Sequence, residues 1–237
     1  MELSKRLMAV TSLVTPGNTI VDIGTDHAYI PIYLMEKKSC ISAIAMDVNE
    51  GPLERAKKHI KELGFEEQIE TRRSDGFEKL KIGEADTAII AGMGGGLVMK
   101  ILTDVPEVTC SLKECILQPQ SEIAKVRCFL LQHGFTFVEE NMVLDEGKYY
   151  PMMKVIPPET MEEKKICFWT ETELRFGKLL LEKKDPVLLE FLQRELRIHQ
   201  EILDSLQERT GGKIEQRKAE LCEDLLQIQK GLEYYEV

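Results

Sequence analysis

Two short apolar runs of this chain close on acids. Ile20-Val21-Asp22-Ile23 carries Asp22 and ends at Gly24, and Ala43-Ile44-Ala45-Met46 ends at Asp47. In a strand–helix–strand unit the ends of two such runs lie side by side at the carboxyl edge of a parallel sheet, where open α/β folds bind nucleotide-like ligands. Gly24 lets the backbone approach a ligand closely, and an acid ending the second strand can accept hydrogen bonds from a ribose diol. The plainer reading is that both acids cap neighbouring helices.

The loop after the first run does not suit a dinucleotide. A pyrophosphate cradle needs G-x-G-x-x-G, whereas Gly24-Thr25-Asp26-His27-Ala28-Tyr29 offers one glycine and an anion-repelling Asp26. A ligand with a ribose and a positive charge but no phosphate fits better, and S-adenosylmethionine is one. Asp26-His27 with Tyr29 invites a general-base or ligand role, against a helix cap beside a satisfied histidine. Ser74-Asp75-Gly76 can bond an adenine amino group or form an ordinary Asp-Gly turn. Gly92-Met93-Gly94-Gly95-Gly96 puts four glycines in five residues at the end of a fourth run. So bare a loop lets two ligands meet, and no Lys-Ser/Thr follows to make it a phosphate loop. Leu117-Gln118-Pro119-Gln120 and Tyr149-Tyr150-Pro151 fall on the same edge, where an aromatic can stack a base or pack into the core.

These clusters need a scaffold that brings strand ends together, and the patterning supplies one. Leu3, Leu7, Val10, Leu13 and Val14 predict a leading amphipathic helix closed by Pro16-Gly17. Strand-like runs follow at 19–23, 42–47, 68–73, 86–91 and 114–118, with helical segments at 29–38, 51–63, 96–104 and 121–133 between them. Phe135 to Leu144 and Tyr149 to Ile156, joined by Asp145-Glu146-Gly147-Lys148, read as a closing hairpin. The expectation is an α/β doubly wound fold with a seven-stranded mixed sheet over residues 1–157. Pro157-Pro158 then marks a boundary, and residues 158–237 read as a helical domain. There Thr170-Glu-Thr-Glu173 predicts a capping box and Asp185-Pro186 a second helix start. Leu189, Leu192, Leu196, His199, Leu203 and Leu206 form an a/d seam. Thr210-Gly211-Gly212 breaks it before a third helix with Ile214, Leu221, Leu225, Ile228 and Leu232, so a coiled-coil hairpin is expected.

Composition narrows the function classes. A hydrophobic share of 43% supports a real core, and a formal charge of −10 argues against indiscriminate nucleic-acid binding while leaving room for local basic patches. Lys5-Arg6, Arg72-Arg73 and Lys148 are basic groups near the expected crevice. Lys183-Lys184, Arg194, Arg197, Arg209, Lys213 and Arg217-Lys218 give the helical arm cations that can meet phosphates. The start has no apolar signal segment, and no apolar run is long enough to span a membrane. The cysteines (40, 110, 115, 128, 167, 222) form no C-x-x-C pair or metal-ligand spacing, so reduced thiols, no metal and a cytoplasmic location are expected.

Together the motifs resemble the bacterial tRNA (adenine-22) N1-methyltransferase family: DIGTDHAYIP at 22–31, AxDVNxxPLxxA at 45–56, RxSDGF at 72–77, AGMGGxL at 91–97, LQPQ at 117–120 and EGKYYPM at 146–152. The resemblance covers the whole α/β domain in order, and the C-terminal helices agree in kind. It implies a class I, Rossmann-like methyltransferase domain, S-adenosyl-L-methionine as methyl donor, and a tRNA adenine as acceptor, giving N1-methyladenosine at position 22. It places Gly24, Asp26, His27, Asp47, Val48, Asp75, Gly76, Gly92, Met93 and Gly94 around the donor, with Asp26 and Tyr29 as candidate catalytic residues. A monomer or weak dimer is expected. The competing expectation is a methyltransferase of the same class acting on a small molecule or a protein.

Overall fold

The computed structural model describes residues 2–162, 168–207 and 210–236; Cys167 and Arg209 lie outside them. It falls into two compact units, Met1–Cys167 and Phe168–Val237. The boundary expected at Pro157-Pro158 falls ten residues before this division. Among the described residues between them, Pro158 lies 3.4 Å from the place of a Cβ on Gly134 and Met161 packs on the core of the first unit.

The first unit is built on seven strands: β1 (Asn18–Ile23), β2 (Cys40–Asp47), β3 (Ile69–Arg73), β4 (Thr87–Met93), β5 (Glu114–Pro119), β6 (Thr136–Asp145) and β7 (Lys148–Ile156). Their order is β3-β2-β1-β4-β5-β7-β6. The first five run parallel, while β7 pairs antiparallel with both β5 and β6. Its helices among the described residues are α1 (Lys5–Ser12), α2 (Tyr29–Glu36), α3 (Glu50–Glu62), α4 (Gly95–Asp104), α5 (Pro106–Ser111) and α6 (Ile123–Gln132). The central strands are covered on both faces, one by Phe77, Val98, Leu102, Val126 and Leu130, the other by Val10, Leu13, Ile32, Ala56 and Ile60. That is why β1, β4 and β5 read as continuous apolar runs rather than alternating ones. The order reverses between β1 and β4, so the crevice outside their carboxyl ends is the topological switch point.

The second unit holds α7 (Glu171–Phe176), α8 (Lys178–Glu182), α9 (Pro186–Leu206) and α10 (Gly212–Glu233). Thr170 and Glu173 form the expected capping box, and Asp185 caps α9 by accepting from the N–H groups of Val187 and Leu188. The two long helices pack antiparallel, Leu192 against Gly231 and His199 Nε2 3.4 Å from Asp224 Oδ2. The seam is shifted from the predicted one. Leu188, not Leu189, is buried beside Leu192, and Leu203 and Leu206 stay half-exposed.

Candidate functional site

The β1–α2 turn is shaped by its backbone. Gly24 has φ +76°, and the N–H groups of Gly24 and Thr25 both donate to Met46 O, at 2.8 and 2.9 Å, tying the ends of β1 and β2 together. A Cβ on Gly24 would sit 2.1 Å from Met93 Cε, so the turn is bare on the side that faces the end of β4. A cavity of about 60 Å³ opens here, lined by Gly24, Asp47, Val48, Ser74, Asp75, Gly76 and Met93 among others. The Met93 thioether takes up room in it, and an unbranched, flexible side chain is cheap to displace.

One carboxylate, Asp47 at the end of β2, lines this cavity, and a second, Asp22, is buried in the adjacent strand β1 two residues before Gly24. Asp47 uses Oδ1 to accept from Asn49 N–H at 2.7 Å, and among the described residues no hydrogen bond takes its Oδ2. Asp22 is buried inside β1, between Ala45 of β2 and Ile89 of β4. Burial pushes its carboxyl up to about 6. The buried Thr25 hydroxyl, which closes no hydrogen bond of full geometry, offsets part of this, and the charge of Asp47 adds to it. A cation placed nearby would favour the ionised form of Asp22.

The other predicted residues separate into two further places. Asp26 is exposed and held by Arg55 of α3, Nη2 to Oδ1 2.9 Å, with His27 Nε2 at 3.7 Å. His27 and Tyr29 stack at 5.1 Å between ring centroids. They line a separate hollow of about 390 Å³ with Arg55, Lys58, His59 and Glu62. His59 Nδ1 lies 2.8 Å from His27 O. The loop is aimed there by His27 and Ala28, both in the left-handed region at φ 57° and 53°. Ser74 is spent on its own turn, donating to Gly76 O and accepting from Lys79 N–H, which leaves Asp75 as the exposed acid.

The glycine loop is only partly open to a ligand. Gly95 is bare because a Cβ there would lie 2.5 Å from Ser121 O and 2.9 Å from Val126, so it packs the β4–α4 turn onto the β5–α6 turn. Gly92, at φ +81°, is different: the space beside it holds Arg6 Nη1 and Gln120 Nε2. Sequence reasoning had no signal for Arg55 and His59, two charged or polar positions on an amphipathic helix.

Among the described residues no group of three or more His, Cys, Asp or Glu could hold a metal, and no helix is long and apolar enough to cross a membrane.

Comparison with known proteins agrees with this geometry. Residues 3–153 match the family described as "Methyltransferase domain". The tRNA (adenine(22)-N(1))-methyltransferase of Bacillus subtilis (strain 168) is 29% identical over 230 residues, 97% of this chain and 96% of that protein. The structure of Streptococcus pneumoniae Sp1610 in complex with S-adenosyl-L-methionine superposes with a TM-score of 0.83 at 30% identity, covering 98% of this chain and 100% of that one. The structure of M. capricolum TrmK with the cofactor product S-adenosyl-homocysteine gives 0.82 at 26% identity over 100% of both chains.

Proposed function

The chain belongs to the methyltransferase-domain proteins and, among them, to the bacterial tRNA (adenine-22) N1-methyltransferase family, and from that premise we propose that it methylates N1 of adenine 22 in tRNA. The observation that carries this reading is the bare turn at Gly24 with Asp22 and Asp47 beside it at the switch point. The residues present suit S-adenosyl-L-methionine. Gly24 leaves a cradle that any Cβ would fill, Asp47 offers a carboxylate oxygen to the ribose diol, and the buried Asp22 complements a cation. Val48, Asp75, Gly76, Met93 and Gly94 complete the donor side in this reading. Bound there, the donor supplies an electrophilic methyl group on a sulfonium.

The protein then has little proton chemistry to do. Adenine N1 carries a free lone pair and no proton, so no base is needed to expose the nucleophile. Holding N1 in line with the methyl group dominates, since proximity can supply roughly 7–11 kcal/mol. The methylated base is a cation, and Asp26 is the carboxylate proposed to favour it. Arg55 shares that carboxylate, so the help is smaller than an isolated Asp26 would give. Tyr29, in the separate hollow beside α3, offers a partly exposed ring to a base flanking the acceptor. In the helical unit Arg217 and Lys218 pair with Glu220 and Glu215 one turn away, so its phosphate contacts should be few and salt-sensitive.

Nucleoside mass spectrometry of unmodified tRNA incubated with protein and donor should show N1-methyladenosine, and replacing adenine 22 should remove it. Methylation of a small molecule or a protein, with tRNA untouched, would establish the competing reading instead. The donor side has its own test. Asp47→Ala should weaken donor binding by about 1.5–3 kcal/mol, the range for hydrogen bonds to a charged group. Calorimetry showing unchanged affinity in a folded variant would remove Asp47 from the ribose.

A further inference from the structure

We propose that Arg6 and Gln120, brought together over the bare α-carbon of Gly92, form the acceptor-nucleotide subsite: Gln120 reads the Hoogsteen edge of the adenine and Arg6 holds an adjoining phosphate. This rests on the tRNA-adenine reading above and adds to it the residues that select the base. A Cβ on Gly92 would stand 3.3 Å from Arg6 Nη1 and 3.7 Å from Gln120 Nε2, so the end of β4 is stripped where the two side chains meet. They arrive from opposite directions, Arg6 on α1 and Gln120 just past β5.

Arg6 is held by its side chain and its backbone, Gln120 by its backbone alone. Arg6 Nη1 donates to Gln118 Oε1 at 2.9 Å, its guanidinium carbon stands 5.6 Å from the centre of the Tyr150 ring, and its backbone N–H donates to Asp145 Oδ2 at 3.0 Å. Gln118 is fully buried and its Nε2 donates to Pro119 O at 3.3 Å, which fixes its carbonyl toward Arg6. The backbone of Gln120 donates to Met93 O at 2.8 Å, joining the subsite to the donor cavity. Its own amide is exposed and takes no hydrogen bond among the described residues. The buried Gln118 amide is spent on Arg6 and Pro119, while the exposed Gln120 amide is open to a ligand.

The chemistry selects what that ligand edge must be. N1 has to face the methyl group, so the Watson–Crick edge cannot be covered by protein. The Hoogsteen edge remains, with the N6 amino group as donor and N7 as acceptor, and a glutamine amide matches both at once. Arg6 cannot serve the ring itself, because a guanidinium against a base that becomes cationic would oppose the reaction. A phosphate is the group it suits, with four further N–H donors beyond the one given to Gln118.

The test uses the full chain and tRNA assembled with either adenosine or 7-deazaadenosine at the acceptor position. The wild-type protein should lose roughly 2- to 13-fold in kcat/KM on the 7-deaza substrate, the range for one of the two hydrogen bonds of the pair. Gln120→Ala should lose at least as much on adenosine, up to roughly 150-fold for the whole pair, and nothing further on 7-deazaadenosine. Arg6→Ala should raise KM for tRNA more than it lowers kcat and flatten the salt dependence by about one phosphate contact, with partial rescue in Arg6→Lys. Donor affinity by calorimetry should be unchanged in all three, which separates loss of the subsite from loss of the fold. A wild-type protein indifferent to 7-deazaadenosine, or a Gln120→Ala protein still penalised by it in full, overturns the Hoogsteen reading. An unaltered salt slope in Arg6→Ala removes the phosphate. If wild-type protein forms no N1-methyladenosine in ordinary tRNA, the proposed function fails first and this subsite goes with it.

Discussion

Arg127→Met is expected to lower the unfolding free energy by about 3–5 kcal/mol, the cost of leaving one member of a buried ion pair without its partner. Arg127 on α6 and Glu140 on β6 are 1% and 0% exposed, with Nε 2.8 Å from Oε1. Removing the guanidinium takes the Glu140 carboxylate's charged partner away at a site that is 0% exposed. The double variant Arg127→Met, Glu140→Leu should recover most of the loss, because apolar replacement of a buried pair is often neutral or stabilising. The consequence reaches the site through α6, which starts directly after Gln120-Ser121-Glu122. Gly95 packs against Ser121 O with no room for a Cβ, so slack in α6 loosens the turn that carries Gly92 and Met93. Denaturant unfolding of the single and double variants checks the pair. A single-variant loss under about 1 kcal/mol would mean that the carboxylate finds other partners or water at little cost.

The sheet was readable because parallel strands covered on both faces must be apolar runs, and all seven strands lie within a few residues of their predicted spans. Short elements were not. Helix α5 has only six residues, too few to show a period, and α7 and α8 are broken by Gly177 at φ 96°. The one-residue shift from Leu189 to Leu188 in α9 follows from the cap: Asp185 fixes the first turn, and the apolar face it turns inward begins at Leu188. At the site, sequence located the loops but not their directions. Nothing in Asp26-His27-Ala28 announces two left-handed residues, which normally call for glycine or asparagine, and those two residues aim His27 and Tyr29 at α3. The four glycines at the end of β4 and just past it read as ligand space throughout, yet Gly95 answers to Ser121 O, and Gly92 is the one that stands beside Arg6 and Gln120.

Asp22→Asn is expected to stabilise the protein at pH 7.5 while weakening its hold on the donor. The Asp22 carboxyl is pushed from its ordinary 3.8 up to about 6, first by burial and then by the charge of Asp47, with Thr25 pulling the other way. Between those two values the folded protein keeps a proton that the unfolded chain has lost. This group's contribution to stability is therefore best below about pH 4 and falls as pH rises to 6. Above 6 it leaves a penalty on the order of 3 kcal/mol, at about 1.4 kcal/mol per pH unit. Asparagine keeps the shape without the charge, so the variant should gain up to that amount at pH 7.5 and little at pH 4. Donor binding runs the opposite way. A sulfonium near Asp22 favours the carboxylate, so wild-type affinity should rise with pH through about 6, and the asparagine variant should bind more weakly with a flatter profile over that range. Denaturant unfolding at pH 4, 5.5 and 7.5, with calorimetric donor binding at the last two, measures both halves. Equal pH dependence of donor affinity in the two proteins would show that Asp22 does not sense the donor. Stability gained together with affinity lost would mean that the buried charge costs the fold at neutral pH and serves the ligand, the trade expected of a functional group rather than a structural one.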